Sequence, residues 1–438
     1  MDQRYYDSEI AKIWNPLNKF QHWLKVELAI IQARVNLGKL SQKIFQSIVA
    51  RVKVTDQTVE EIELIESKTG HDLASFVTAI QNQLPAEEKQ YIHSGGVTSY
   101  DTEEPALSLM LLVSANRIIS LLLNLVNVLY DKAQKYKYLP MIAHTHSQHA
   151  QVYTLGIKLL GYCDDVSRSV KRIEIAVEEI RYSKISGAIG TYGNGLSPEI
   201  EREALEILLL KASAFSRQIT LRDRIANLLS SMTMAGAIIE KIATDFRHTA
   251  SSERCELQEP FKKSQKGSSV MPFKRNPIGC EKVSGMARLL RGYLSCAIEN
   301  IATWEERDIS HSSVERIILP DSFHTLAHMI TTITKIVSGM VINEKRIQRN
   351  IELTLGTAIS PMINEMNQKY GMDPDDSYYI LQELAFQSFD TDESFIDLVL
   401  KDERIPKEVR DQDTLKALYI KYYKEVPPFV DEIFSKLK

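Results

Sequence analysis

The residue types best suited to acid–base chemistry lie in a segment limited by glycine and proline, residues 267–277, which reads GSSVMPFKRNP. A serine hydroxyl is a poor base near neutral pH, and it becomes a useful one only where backbone N–H groups and a nearby cation stabilise its oxyanion. The glycine of this segment and Lys274 could supply both conditions. The alternative is a solvated basic loop, which a short Gly-Ser-Ser segment on its own would favour.

Histidines form the second candidate, the segment THSQH at residues 145–149. Imidazole is the side chain best suited to protonate a leaving nitrogen near pH 7, although a lone histidine is more often structural. His71 and Asp72, in the context KTGHDLASF, form a third candidate. A capped helix start explains that pair equally well.

These candidates lie in or beside loops that separate long helices. Three stretches rich in Gly, Ser or Pro interrupt the helical pattern, at residues 93–101, 186–198 and 262–277, and functional residues concentrate in such loops. Between Pro105 and Pro260 prolines are scarce, so few residues there would break a helix.

Apolar periodicity supports the same view. Between residues 107 and 129, isoleucine and leucine recur at the spacing of one helical face, at Ile118, Leu122, Leu125 and Leu129. Similar helices are predicted over residues 225–252 and 281–302, whereas alternating strand patterns are nearly absent. The sequence therefore predicts an all-α fold.

The length of 438 residues suggests about three units at roughly 150 residues each. The predicted divisions are an N-terminal helical domain (1–110), a central long-helix bundle (111–355) and a C-terminal helical domain (356–438). With 44% hydrophobic and 25% charged residues, the composition is that of a soluble globular protein.

Charge and cysteine usage exclude several classes of protein. A formal net charge of -4 argues against a nucleic-acid-binding surface. The four cysteines lie far apart, which favours neither a disulfide framework nor a thiolate metal site and fits a reducing cytoplasm. The N-terminus does not read as a secretory signal. The apolar stretch 107–129 carries serines, asparagines and an arginine, so we predict a buried soluble helix and no membrane association.

The pattern GSS-x-MP-x-K-x-NP resembles the signature of the fumarase/aspartase superfamily, with eight fixed positions. The resemblance extends over most of the chain, including residues 143–158, 184–194 and 304–321, and is weakest in the last 80 residues. It implies a three-domain fold with a central long-helix bundle and a β-elimination that releases fumarate. Residues 278–321 are most similar to the branch that acts on succinylated purine ribotides.

The same resemblance implies roles in the loop at residues 267–277. Ser268 would be the general base that removes the proton α to a carboxylate, and Ser269 is the less suitable neighbour. Lys274 and Asn276 would bind the succinyl carboxylates and stabilise the carbanion. The loop would close over the substrate as a lid, because excluding water strengthens these interactions.

The acid and the substrate contacts are carried over in the same way. His146 would be the general acid, and Glu281 the carboxylate that orients it. The remaining matched positions would bind substrate; they are Arg4, Tyr5, His71, Asp72, Thr98, Ser99, Gln218, Ser269, Arg316 and Ser322. His93 is a further candidate, but its segment is one residue longer than usual.

Four departures from the family pattern fall on positions that shape the purine ribotide pocket, and they leave the catalytic residues unchanged. They are Gly70, Ile225, Phe273 and Pro361. They bear on the choice of substrate, so a sister lyase with another succinyl substrate is the alternative. A catalytically silent structural relative is a second alternative, which the joint presence of Ser268, Lys274 and His146 disfavours.

The resemblance implies no metal and no organic cofactor, and the histidines lack the spacing of a metal site. It also implies a homotetramer whose active sites each take loops from three chains. Helix geometry supports this, since long helices at about 1.5 Å per residue hold their ends far apart, and one chain would have difficulty bringing the Thr98, His146 and Ser268 loops together.

Overall fold

The computed structural model describes residues 1–261, 263–424 and 429–436. Lys262, which belongs to the predicted loop 262–277, lies outside the described residues, as do residues 425–428, 437 and 438 of the predicted C-terminal domain. The described chain is predominantly helical, so the all-α prediction is confirmed.

The helices are α1 (Ser8–Ile13), α2 (Pro16–Asn36), α3 (Gln42–Arg51), α4 (Asp56–Thr69), α5 (Asp72–Gln81), α6 (Ala86–Lys89), α7 (Ser99–Lys135), α8 (Leu155–Ile180), α9 (Pro198–Ile207), α10 (Asp223–Thr249), α11 (Ile278–Glu299), α12 (Ser310–Gly339), α13 (Glu344–Glu352), α14 (Ser360–Lys369), α15 (Pro374–Thr391), α16 (Phe395–Lys401), α17 (Gln412–Tyr419) and α18 (Val430–Ser435). The strands are β1 (Pro140–Thr145), β2 (Gln148–Thr154), β3 (Tyr182–Ser183), β4 (Lys211–Ala212), β5 (Leu257–Gln258) and β6 (Val341–Ile342). They pair as β1–β2 and β5–β6, both antiparallel, and as β3–β4, which is parallel.

Helix α7 contains the apolar face predicted from the sequence. The side chains at all four periodic positions, Ile118, Leu122, Leu125 and Leu129, are fully buried. By length and hydropathy alone α7 could cross a membrane, and half of its most apolar window is buried inside the protein. Near its middle Arg117 donates to the carboxylate of Asp7 at 2.9 Å.

The described residues form two compact units, each assembled from three segments of the chain. The first comprises Met1–Leu123, Ser167–Glu240 and Val283–Thr331, and the second comprises Asn124–Val166, Lys241–Lys282 and Thr332–Lys438. Every boundary falls inside one of the long helices α7, α8, α10, α11 and α12. The three-domain division along the sequence stays a prediction.

In the first unit, α2 packs against α9 and α4 packs against α5. Phe20, Trp23 and Phe76 form an aromatic cluster, with the rings of Trp23 and Phe76 5.4 Å apart and edge to face. Such pairs add to the stabilisation that comes from burying the rings. The cluster holds α2 against α5, the helix that follows His71.

A buried ion pair lies at the start of α7. Asp101 and Lys184 are both fully buried, with the ammonium nitrogen 2.6 Å from the carboxylate oxygen. The same carboxylate accepts backbone N–H groups of Thr98, Ser186 and Gly187, at 2.8, 2.9 and 3.2 Å. Buried charges are tolerated when they are paired and hydrogen-bonded in this way.

In the second unit, β1 and β2 form a hairpin that packs against α13. The near-absence of strand signals in the sequence did not predict this hairpin, because its two-residue turn, His146 and Ser147, contains no glycine. Both turn residues have positive φ, 52° and 63°, as a two-residue hairpin turn of type I′ requires. The histidine motif therefore lies on a hairpin.

Breaking the Asp101–Lys184 pair should destabilise the fold. The substitution Lys184→Met leaves a carboxylate buried without its cation, and we expect the free energy of unfolding to fall by about 3–5 kcal/mol. Denaturant unfolding followed by circular dichroism measures the effect. The matched control is Lys211→Met, which removes an exposed pair with Glu178 and should change little. Equal unfolding midpoints for the two variants would contradict the assigned importance of the buried pair.

Candidate active site

The hydroxyl of Ser268 lies among backbone donors, as a serine base requires. Its Oγ accepts the N–H groups of Val270 at 3.3 Å and Met271 at 3.1 Å. Two donors aimed at one oxygen favour its ionised form. The neighbouring Ser269 is exposed, and no hydrogen bond is recorded for its hydroxyl among the described residues. The local geometry thus distinguishes the first serine from the second.

The loop is closed by contacts near its two ends. The side-chain amide of Asn276 donates to the carbonyl oxygen of Gly267 at 2.9 Å. A Cβ added to Gly267 would collide with the carbonyl oxygen of Lys274, so only glycine fits there. One amide hydrogen of Asn276 remains for a ligand. Phe273 and Val270 point outward, each with 82% of its surface exposed.

A carboxylate caps the helix that follows the loop. Glu259 accepts the N–H groups of Gly279 at 3.1 Å and Cys280 at 2.7 Å, the first turn of α11. This contact satisfies donors that a helix start leaves unpaired and places a negative charge at the positive end of the helix dipole. It also fixes the position of Glu281, which is exposed in the same turn.

His146 lies at the exposed tip of the β1–β2 hairpin. The left-handed backbone at two successive residues with side chains is unfavourable, and such strain is often found at functional sites. Behind the tip, His144 and His149 face each other edge to face, with ring centroids 4.9 Å apart. Burial, together with the nearby charge of Arg254, lowers the pKa of His144 to about 4, so it is neutral near pH 7.

The second unit holds His146, Ser268, Lys274, Asn276 and Glu281 in one chain. Within the described part of that unit, no hydrogen bond or salt bridge joins His146 to Ser268 or to Glu281. The predicted orientation of the acid by Glu281 stays a prediction.

In the first unit a cavity of about 480 Å³ brings several predicted binding residues together. His71, Asp72, Ser99 and Arg316 all line it, and so does the departure Gly70. The volume lies in the range of small-molecule sites. Other residues lining it were not predicted from the sequence, namely Tyr100, Glu103, Arg307 and Ser312.

Ion pairs organise one wall of this cavity. The carboxylate of Asp72 lies 2.8 Å from the guanidinium of Arg316 and 3.5 Å from the ammonium of Lys19. Although burial opposes ionisation, these two cations hold the pKa of Asp72 below its usual value. His71 accepts the backbone N–H of Ala74 at 3.3 Å and so caps α5, as the structural explanation anticipated.

The buried pair Asp101–Lys184 positions further candidates. Asp101 binds the backbone N–H of Thr98, and Lys184 donates to the carbonyl of Gln218 at 3.1 Å. The side-chain oxygen of Gln218 in turn accepts from Arg307 at 2.9 Å. The guanidinium of Arg307 lies 4.0 Å from the ring centroid of Tyr100, within the range of a cation–π contact.

Four other candidates lie outside the residues that line this cavity. Arg4 is exposed, with its guanidinium 3.7 Å from Asp2. Tyr5 contacts the ring of His328, at 5.1 Å. Ser322 is 1% exposed, and its hydroxyl has no hydrogen-bond partner among the described residues.

His93 is the fourth, and it is engaged elsewhere: its ring nitrogen lies 2.9 Å from the buried carboxylate of Glu27. Although burial opposes protonation, that carboxylate raises the pKa of His93.

Arg307 and Ser312 could have been found from the sequence, because they share the segment RDISHSSVER with Arg316.

The departures have local explanations. Gly70 ends α4 with φ of 65°, a left-handed conformation that glycine adopts readily. Pro361 lies in the first turn of α14 and lines a separate cavity of about 600 Å³ together with Gln148 and His149. Ile225 is buried.

Over the ranges that the structure describes, no group of three His, Cys, Asp or Glu side chains could hold a metal ion.

Comparison with known proteins identifies the family of this chain. The model of a family described as Lyase matches residues 4–292. The chain is 38% identical over 438 residues to adenylosuccinate lyase of Thermotoga maritima, covering 100% of both chains. It is 38% identical over 418 residues to adenylosuccinate lyase of Aquifex aeolicus, covering 95% of both.

A solved structure of fumarate lyase from Mesorhizobium sp. BNC1 superposes with a TM-score of 0.88 over 100% of this chain and 99% of that one, at 18% identity. At that identity the likeness shows the fold alone, which is the all-α fold of this superfamily. The chain belongs to the lyase family, within the adenylosuccinate lyase group of the fumarase/aspartase superfamily.

Proposed function

We propose that this chain cleaves adenylosuccinate to AMP and fumarate by β-elimination, and that it acts likewise on the succinylated aminoimidazole carboxamide ribotide of cytoplasmic purine biosynthesis. The observation that carries the proposal is identity of 38% over the full chain to a relative named adenylosuccinate lyase. The same relatives disfavour a sister lyase with another succinyl substrate. No metal or organic cofactor is part of the proposal.

The first step is removal of the proton α to a carboxylate by Ser268. The two N–H groups that its Oγ accepts would stabilise the alkoxide, and Lys274 would add positive charge when the loop closes. The C–H electron pair then forms a carbanion stabilised by the adjacent carboxylate, which Lys274 and Asn276 bind. The loop therefore supplies both the base and the charge stabilisation.

The second step is cleavage of the C–N bond. The carbanion electron pair forms the C=C bond of fumarate, and the leaving nitrogen takes a proton from His146, oriented by Glu281. The exposed position of His146 at a hairpin tip suits a group that must reach a substrate bound by other segments. The proton removed by Ser268 and the proton given by His146 balance over the cycle.

The 480 Å³ cavity would bind the anionic parts of the substrate. Arg307 and Arg316 provide planar donor groups that match phosphate or carboxylate oxygens. Ser99 and Ser312 provide hydroxyl donors in the same cavity. Arg4, Tyr5, Thr98, Gln218 and Ser322 remain proposed substrate contacts.

We propose a homotetramer with shared sites. The long helices carry exposed apolar side chains that a subunit interface would bury, including Val113, Leu123, Leu289, Ile298 and Ile317, each between 46% and 61% exposed. A shared site would also bring His146 of one chain to the Ser268 loop of another. Within the described residues of a single chain, no hydrogen bond joins His146 to Ser268.

Incubation of the purified protein with adenylosuccinate should release AMP and fumarate without added metal. Fumarate absorbance and chromatographic detection of AMP measure the products, and a parallel reaction with chelator should run at the same rate. Chelator-sensitive activity on another compound, with no AMP formed, would contradict the proposal. A folded protein with no activity on either ribotide would support the silent relative.

Removing the proposed base or acid should abolish elimination without unfolding the protein. Ser268→Ala and His146→Ala should each lower kcat by about 100- to 10,000-fold, because a positioned acid or base contributes about that much. Ser269→Ala is the matched control and should lose far less. Thermal unfolding midpoints should stay close to that of the unchanged protein. Near-normal turnover by either variant would remove its assigned role.

Mixing the two inactive variants should restore activity if the sites are shared. After dissociation and reassembly of His146→Ala with Ser268→Ala protein, some hybrid sites receive both original side chains. The recovered rate is measured with adenylosuccinate, and exchange of subunits is verified by mass spectrometry of the native assemblies. A mixture that stays inactive despite exchange, or a protein that sediments as a monomer, contradicts the shared-site arrangement.

A further inference from the structure

Glu103 is a carboxyl group in the wall of the cavity that we propose binds the anionic parts of the substrate, and it has no role in the mechanism above. It lines the 480 Å³ cavity and also an adjoining one of about 200 Å³, and the two cavities share Tyr100, Ser312 and Arg316 as further lining residues. No hydrogen bond or salt bridge to another described residue is recorded for its side chain. Glu103 is half-buried, and a carboxyl group without a protein partner at the wall of this cavity can form hydrogen bonds with a bound ligand.

The cations whose charges act on Glu103 have other partners. Arg316 is held by Asp72 at 2.8 Å, and Arg307 donates to Gln218 at 2.9 Å. Lys19, on α2, also faces Asp72, at 3.5 Å. Glu103 therefore forms no ion pair with these cations among the described residues, although their charges act on it. A carboxyl group in that position is available to a ligand.

Electrostatics favour the neutral form of this group. Burial, and then the negative charge of Asp72, raises the pKa of Glu103 to about 7, although Lys19, Arg307 and Arg316 act in the opposite direction. A neutral carboxyl has an O–H donor, whereas a carboxylate has none. An arriving anion would favour the neutral form further, since like charges repel.

We propose that Glu103 is a ligand-binding residue of this cavity, and that its neutral carboxyl group donates a hydrogen bond to the anionic group held by Arg307 and Arg316. The identity of that anion as part of a succinylated ribotide rests on the proposed function. The hydrogen bond itself needs only an anion in the cavity. A donor to a charged acceptor is among the stronger hydrogen bonds, so the group should contribute measurably to affinity.

The proposal makes binding dependent on pH, with a definite sign. A bound anion raises the pKa of Glu103 above its value of about 7 in the free protein, so binding takes up a proton from solvent. The affinity for the anion is highest below about pH 7. It falls as the pH rises from the pKa of Glu103 in the free protein through its pKa in the bound state. If only the neutral form bound the anion, affinity would fall about tenfold between about pH 6 and about pH 8.

Other charged and titratable groups line the two cavities around Glu103. The charged groups on the elements around it are Lys19 on α2, Asp72 on α5, and Arg307 and Arg316. Burial raises the pKa of Glu315, on α12, to about 7 as well. The remaining titratable groups at the two cavities are Glu66 on α4, His71 before α5, Tyr100 on α7 and Arg222.

Sulfate is the probe, because it stays doubly charged over this range while a phosphate ester titrates within it. Calorimetric titration of the intact protein with sulfate, at about pH 6 and about pH 8 and in two buffers of different ionisation enthalpy, measures both affinity and proton uptake. Uptake of a proton by the unchanged protein, together with the weaker binding at high pH, is expected. The titration contains no adenylosuccinate, so it remains informative if no AMP is released in the activity assay.

Two variants then assign the effect. Glu103→Gln retains an N–H donor but cannot titrate, so we expect its sulfate affinity to be equal at both pH values. Glu66→Gln removes a carboxyl group of the same cavity and should retain the dependence of the unchanged protein. Tighter binding by Glu103→Gln at both pH values would show that the carboxylate repels the anion, and would overturn the proposal. An unaltered pH dependence in Glu103→Gln, or no sulfate binding by the unchanged protein, would overturn it as well.

Discussion

The buried pair of Asp101 and Lys184 is the interaction on which the first unit's site depends. One carboxylate binds the start of α7 through Thr98 and the loop at Ser186 and Gly187. One ammonium group binds the same loop and the segment of Gln218. Two fully buried charged side chains thereby hold together three segments that are distant in sequence. The cavity residue Ser99 follows directly from Thr98, so its position depends on this pair.

A second set of buried charges lies next to the same cavity. Arg222 contacts the carboxylates of Glu104 at 2.7 Å and Glu315 at 2.9 Å. Each charge that is buried requires a partner, because water is absent. The unit therefore combines paired charges that maintain the backbone with less satisfied groups, such as Glu103, that face the cavity. The paired charges have hydrogen-bond partners within the protein and so serve the structure. The cavity groups that lack such partners are available to a ligand.

Sequence reasoning predicted the helices well and the convergence of side chains poorly. The buried face of α7 followed from periodicity, since Ile118 and Leu122 can be buried together only on one helical face. The hairpin at His146 carried no comparable signal, because its turn lacks glycine. Glu103 and Lys184 were missed because their importance depends on partners far away in sequence. Glu259 was missed for the same reason, since it caps a helix that begins 19 residues later.

The interleaved construction of the two units has a consequence for any attempt to divide the protein. Each unit takes three segments from the chain, and every boundary interrupts a long helix. No continuous fragment shorter than most of the chain contains a whole unit, so a gene truncated at α7, α8, α10 or α11 encodes no complete hydrophobic core. During synthesis, the first unit therefore has all its segments only after Thr331 has been added. A chain whose synthesis stops earlier leaves apolar helices exposed to chaperones and proteases.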